Sequence, residues 1–279
     1  MIELDDKTLR NLQLTELELL EEVDRICKKC NIHYNIIAGT LLGAVRHGGF
    51  IPWDDDADVA LLRPEYEKFR KACETELDTT RFYFQDHRNT PGYRWGYGKL
   101  RRKETLFLRE HQEHMPYEQG VFIDVFPLDY VPENYGMRRI HNFVCFVYRK
   151  FFWSEVGRVA DKSPWMRGLY TVMSKVPEKR LKESFNRFVA RSDRKKTRWV
   201  RILTFPTPNK AYGYRTRWYE KSADITFEGV TFPGIKDYDG YLSFKFGDYR
   251  KLPPVEQRKV HPVSDIKVME KDCARTARE

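Results

Sequence analysis

Four aspartates, Asp54, Asp55, Asp56 and Asp58, fall within five positions of the stretch GTLLGAVRHGGFIPWDDDADVALL (Gly39 to Leu62), directly ahead of an apolar run. No other feature restricts the fold so strongly. The apolar run demands burial, whereas neighbouring carboxylates demand water, protons or cations. The segment must therefore enter the core from an edge that accommodates charge. Side chains alternate between faces along a strand, so a strand from Asp56 to Leu62 projects Asp56 and Asp58 to one side and buries Val59 and Leu61. A solvated turn and a metal site both satisfy this pattern.

A second acid bears on the choice. Asp124 stands in the middle of the strand pattern VFIDVFPLDY, where an unpartnered buried carboxylate is destabilising. If that strand lies beside the first, Asp124 completes a three-acid site with Asp56 and Asp58. Magnesium takes oxygen ligands, commonly one or two carboxylates plus substrate phosphates. Three acids can support one ion on nucleotide phosphates and another that activates a hydroxyl.

The remaining pattern predicts helices around a mixed sheet, an α/β or α+β fold. Asp5 or Asp6 caps a first helix with Leu9, Leu12, Leu19, Leu20, Val23, Ile26, Cys27 and Cys30 at helical spacing. Ile32 to Ala38 reads as a short strand stopped by Gly39-Thr40, after which LLGAVRH opens a helical turn. Arg63-Pro64-Glu65 starts another helix that buries Tyr66, Phe69, Ala72 and Cys73. RFYFQDH and YRWGYGKLRRKETLFL suit antiparallel strands joined by a turn at Pro91-Gly92. Gly229 to Leu252 reads as short strands and turns. This divides the chain into a core, 1–137, a basic helical subdomain or insertion, 138–221, and a segment completing the core, 222–279.

The net charge of +9 is uneven: residues 138–221 hold 22 Lys or Arg against 6 Asp or Glu, a net of +16. Such a middle favours phosphate-rich partners, including nucleotides, anionic lipid headgroups, phosphorylated glycans and nucleic acid. Five cysteines without a paired framework favour a reduced compartment. Cys27 and Cys30 lack a second ligand pair and read as core residues rather than a zinc site. The N-terminus lacks an apolar signal segment, and no run of about 18 apolar residues would span a bilayer. These features predict a cytosolic protein, with peripheral contact at the inner membrane face.

A Gly-Thr turn, an acidic pair opening a strand and a separated strand Asp together resemble the nucleotidyltransferase fold. The likeness extends further. AGTLLGAVRHGGFIPWDDDADVALLRPEYEKF is similar to the signature of the LicD family of phosphocholine and related phosphotransferases, whose relatives include fukutin-like proteins. GVFIDVFPLDYVP resembles that family's second acidic motif and YLSFKFGDYRKLPP its C-terminal motif. The resemblance implies transfer of a phospho-alcohol from a CDP-activated donor to a hydroxyl of a cell-surface glycan such as teichoic acid or lipopolysaccharide, or of its lipid-linked precursor, with CMP leaving.

Carried over by position, Asp56, Asp58 and Asp124 become catalytic acids and ligands for Mg2+ or Mn2+, with Asp54 a further candidate ligand. Gly39 and Thr40 form the phosphate-approach turn. Arg46, Lys99 and Arg101 are the candidates for neutralising donor phosphates. Read as surface cations, Lys99 and Arg101 should tolerate Ala with stability changes of no more than about 0.5 kcal/mol. His47 and His261 neighbour the motifs but read as structural.

Two rivals remain at this stage. One is nucleotidyl transfer to a small acceptor such as an aminoglycoside, releasing pyrophosphate. The other is nucleic-acid binding, because aromatic and basic residues interleave in YRWGYGKLRR and KKTRWVRILTF. The second rival leaves Asp56, Asp58 and Asp124 without a purpose.

Overall fold

A computed structural model describes residues 2, 4–207, 209–258 and 260–270. Helix α1, Asp6–Cys30, starts at Asp5, whose carboxylate accepts the Thr8 N–H at 2.7 Å. Its stripe of Leu12, Leu19, Leu20, Val23, Ile26 and Cys27 is buried, as the spacing predicts.

Strand β1, Asn35–Ile36, is followed by α2, Ala38–His47, β2, Asp58–Leu62, and α3, Arg63–Glu76. β3, Phe82–Gln85, and β4, Gly98–Arg102, form the predicted antiparallel pair. Then come β5, Leu106–Arg109, and β6, Phe122–Tyr130, all of whose nine residues are buried. Helices α4, Tyr135–Ala160, α5, Pro164–Ser174, and α6, Glu178–Ser192, form the basic elaboration. β7, Trp199–Arg201, β8, Tyr214–Arg215, β9, Ser222–Phe227, β10, Val230–Ile235, α7, Tyr238–Phe246, and β11, Val263–Lys267, complete the order.

The principal sheet runs β3-β4-β6-β2-β1-β10-β9, with β7 and β8 extending from the end of β6 and β5 pairing β11 separately. It is mixed: β2–β6 and β1–β10 are parallel, and the other pairs along that path are antiparallel. The continuous apolar runs of β2 and β6 suit a central position covered on both faces. α1 and α3 pack on each other and on β6, while α2 touches β2, β9 and α7. The α/β expectation is met.

Local details differ from the sequence reading. The strand expected over 32–38 contracts to two residues because Ala38 takes a left-handed backbone, φ 51°, and starts α2 there. Gly39 and Thr40 thus lie in the first turn of a helix rather than in a separate turn. β2 begins at Asp58, and Asp56 lies in the extended approach to it. Tyr238–Phe246 is helical although its aromatic content suits a strand, because Asp237 accepts the Gly240 N–H at 3.2 Å and caps it. α4 and α6 gather a second core in which Cys145, Phe152, Leu181 and Phe185 pack with Val131, Trp199 and Leu203.

At the far end of β6, Asp129 receives two 2.7 Å hydrogen bonds from Arg63, the first residue of α3. The fork bonds α3 to the central strand, and both residues are buried.

Candidate active site

The parallel register of β2 on β6 places Asp58 opposite Asp124, and the antiparallel register of β4 on β6 places Lys99 opposite Asp124. Register partners share a face. Lys99, Asp124 and Asp58 therefore form a row across three neighbouring strands, with Asp56 leading into it. The Lys99 ammonium donates to Asp124 Oδ1 and lies 3.3 Å from the centroid of the Phe122 ring. Burial pulls the Lys99 ammonium down to about 7, against the restoring charge of Asp124.

The other acids crowd around this row. Burial, and then Asp56 and Asp55, push Asp54 up to about 8. Burial raises Asp58 well above the ordinary range, with Asp56 and Asp124 adding to it. Burial also raises Asp56, against the pull of His261 and reinforced by Asp124 and Asp55. Asp55 goes the other way: burial raises it, but His261 more than offsets this and draws it down. His261 donates its backbone N–H to Asp55 Oδ2 at 2.8 Å, its Nδ1 lies 3.0 Å from Asp55 Oδ1, and its Nε2 is 3.8 Å from Asp56 Oδ2.

Glu16 of α1, absent from the sequence reading, is 1% exposed with an unpartnered Oε2. Burial, then repulsion from Asp56, Asp55, Asp54 and Asp58, raises its carboxyl well above normal. A lone Glu on a helix gives no local signal of this role. The proximity of Glu16 and His261 to the aspartates is made entirely by tertiary packing.

Gly39 and Thr40 position these acids. A Cβ on Gly39 would meet Asp54 Oδ2 at 2.7 Å, so a side chain there would displace the Asp54 carboxylate from its present position. Thr40 Oγ1 accepts the Asp58 N–H at 2.7 Å and ties α2 to the first residue of β2. Arg46 feels the charge of Asp54 while donating to the Tyr249 carbonyl at 3.0 Å, which draws the FGDYRKLPP segment to α2.

Lys99 and Arg101 are buried, which corrects their reading as surface cations. Arg101 donates to Gln85 Oε1 at 2.8 Å and to the Gly120 carbonyl at 2.6 Å. Ala at either position strands a buried partner, so the loss of stability exceeds that of a surface charge change. Both line a cavity of about 380 Å³ together with Arg109, Arg149 and Lys150, the rings of Phe122 and Trp153, and no carboxylate among the described residues.

The acids have the donor chemistry of a hard divalent cation, and the upward shifts of Glu16, Asp54, Asp56 and Asp58 mark a patch short of compensating charge. Among the described residues, no three His, Cys, Asp or Glu side chains already stand in a ligating arrangement. Lys99 instead holds Asp124. Ion binding would require the carboxylates to turn toward a shared point.

This shift carries a pH prediction. Asp54 has a folded value of about 8 against an ordinary 3.8, so it contributes stability below 3.8 that is lost as pH rises through about 8. In chelator, the wild type is expected to lose melting temperature relative to Asp54→Asn across that window. Parallel melting curves for the two proteins would refute the buried-carboxyl assignment.

Comparison with known proteins adds a likeness along the chain. Residues 31–147 match the family described as LicD/FKTN/FKRP, nucleotidyltransferase domain. The chain is 26% identical over 276 residues to the lipopolysaccharide cholinephosphotransferase LicD of Haemophilus influenzae, covering 94% of this chain and 98% of that protein. An uncharacterised protein of Rickettsia typhi is 34% identical over 76 residues, 25% of each chain. One from Rickettsia prowazekii is 44% identical over 52 residues, 19% of this chain and 20% of its own. The matched domain over residues 31–147 and the alignment along nearly the whole chain support a place for this protein in the LicD family.

Proposed function

We propose that the protein transfers a phospho-alcohol group, phosphocholine or a close relative, from a CDP-linked donor to a hydroxyl of a cell-surface glycan or its lipid-linked precursor, releasing CMP. The observation that carries this reading is the row Lys99–Asp124–Asp58, in which strand register joins the two separated acidic motifs. Its support in substrate class is the Haemophilus relative, which is named for cholinephosphate transfer to lipopolysaccharide.

Asp56, Asp58 and Asp124 would hold Mg2+ or Mn2+, with Asp54 within the same charged patch. Such an ion would offset carboxylate repulsion and neutralise donor phosphate charge. The chain's own contribution is positional. Thr40 fixes the start of β2, Gly39 leaves room for Asp54, and Asp55 orients His261. Lys99, Arg101 and Arg109 set a cationic wall beside Asp124 at which a departing CMP phosphate would be stabilised.

Purified protein with Mg2+ and a panel of CDP-alcohols, plus glycan acceptor, is expected to release CMP from one member of the panel. Pyrophosphate release from a nucleoside triphosphate, without CMP from any CDP-alcohol, would instead establish nucleotidyl transfer. The nucleic-acid reading is disfavoured by placement: Gly98–Arg102 and Trp199–Arg201 are buried strand residues, so their basic and aromatic alternation does not form a surface.

A further inference from the structure

We propose that the outer face of the α4–α5 hairpin seats on an anionic bilayer surface. The proposal is independent of the reaction assigned above and rests on three features of the hairpin.

The first is apolar exposure at helical spacing. On α4, Ile140, Phe143 and Val147 recur at i, i+3 and i+7 and are 59%, 64% and 36% exposed. The opposite side of the same helix is satisfied already, because Cys145, Phe152 and Val156 are buried. On α5, Trp165, Leu169 and Val172 are 74%, 40% and 65% exposed, while Tyr170 on the other side packs against Gly157 of α4. Each helix thus has one apolar side in the fold and a second one facing solvent. Large apolar side chains left exposed in a row on each helix mark an interaction surface.

The second feature is charge. Residues 135–175 hold eight Lys or Arg and two acids; Arg138 is buried, Arg139, Arg158, Lys162, Arg167 and Lys175 are exposed, and Glu155, one of the two acids, is engaged by Arg94 at 3.2 Å and Arg158 at 2.8 Å. A second copy of the chain would set like charge against like charge on this face. Anionic headgroups complement it, and Phe, Trp and Leu beside Arg and Lys suit the boundary between headgroups and acyl chains. Among the described residues, no helix is long and apolar enough to cross a membrane, so the contact is with one leaflet.

The third is continuity with the cavity. Phe146, Arg149, Lys150 and Trp153 of α4 form one of its walls, and Phe146 is itself 40% exposed. Seating the hairpin would bring the cavity to the level of the headgroups.

The experiment is cosedimentation of the full chain with vesicles of phosphatidylcholine alone or mixed with phosphatidylglycerol, at low and high salt. The wild type is expected to pellet with the anionic vesicles and to be released by salt. Phe143→Glu combined with Trp165→Glu, both at exposed positions, is expected to lower the partition coefficient at least roughly tenfold with an unchanged melting temperature. Equal recovery on neutral and anionic vesicles, or wild-type binding by the double variant, would overturn the proposal. So would a wild-type dimer that the double variant converts to a monomer without any vesicle binding, which would identify a second copy as the occupant.

Discussion

Asp58→Asn and Asp124→Asn are each expected to lower metal-dependent CMP release at least about 10³-fold while leaving the chain folded. Asn preserves the shape of Asp and removes the charge that would hold a cation. Asp58 stands where burial and the charges of Asp56 and Asp124 already oppose ionisation, so its neutral replacement relieves repulsion in the metal-free protein. The apo melting temperature of Asp58→Asn should therefore equal or exceed that of wild type.

Asp124→Asn differs because it removes the partner of Lys99. Burial has already brought that ammonium down to about 7, so it can shed its proton near neutral pH rather than remain an unpaired charge. The check is initial-rate CMP release together with melts in chelator and in Mg2+. Wild type should gain melting temperature from Mg2+ and both variants should lose that gain. Combining the substitutions should add little further loss, because groups that act as one unit are not additive. Full Mg2+-dependent turnover by Asp58→Asn would end the shared-site explanation.

The largest stability effect is expected at the opposite end of β6. Asp129→Ala should destabilise the protein by about 3–5 kcal/mol, since it leaves the buried Arg63 guanidinium without either of its 2.7 Å carboxylate bonds. Among the described residues, the half-buried Glu67 carboxylate remains in reach, at a long 3.5 Å. The double replacement Arg63→Met with Asp129→Leu should recover most of that loss, because two apolar side chains of similar volume need no charge compensation. Urea unfolding of the three variants measures both. A loss below about 1 kcal/mol for Asp129→Ala would mean that Arg63 finds water or a new acceptor.

Much of the scaffold was legible without coordinates because it depends on neighbours in the chain. The leucine stripe and Asp5 cap specify α1, the apolar runs specify β2 and β6, and the two aromatic segments specify the β3–β4 pair. The same is true of the demand of these acids for compensating charge. Asp56 and Asp58 sit at a strand entrance, and Asp124 is too costly within an apolar strand without a partner.

Local pattern did not reach the backbone reversal at Ala38, φ 51°, because an alanine carries no mark of a left-handed conformation in its neighbours. It misjudged Lys99 and Arg101 as surface cations, since an alternating basic strand looks the same at an edge as beside β6 in the sheet interior.

What the sequence by itself determined was which segments are apolar, which carry acids and in what order they occur. Which carboxylate faces which, and that Glu16 and His261 join them from opposite ends of the chain, was decided only by tertiary structure. The physical reason is that the register of β2, β4 and β6 is set by packing summed over the whole sheet, so contacts such as His261–Asp55, 206 positions apart, leave no periodic trace in the segments that make them.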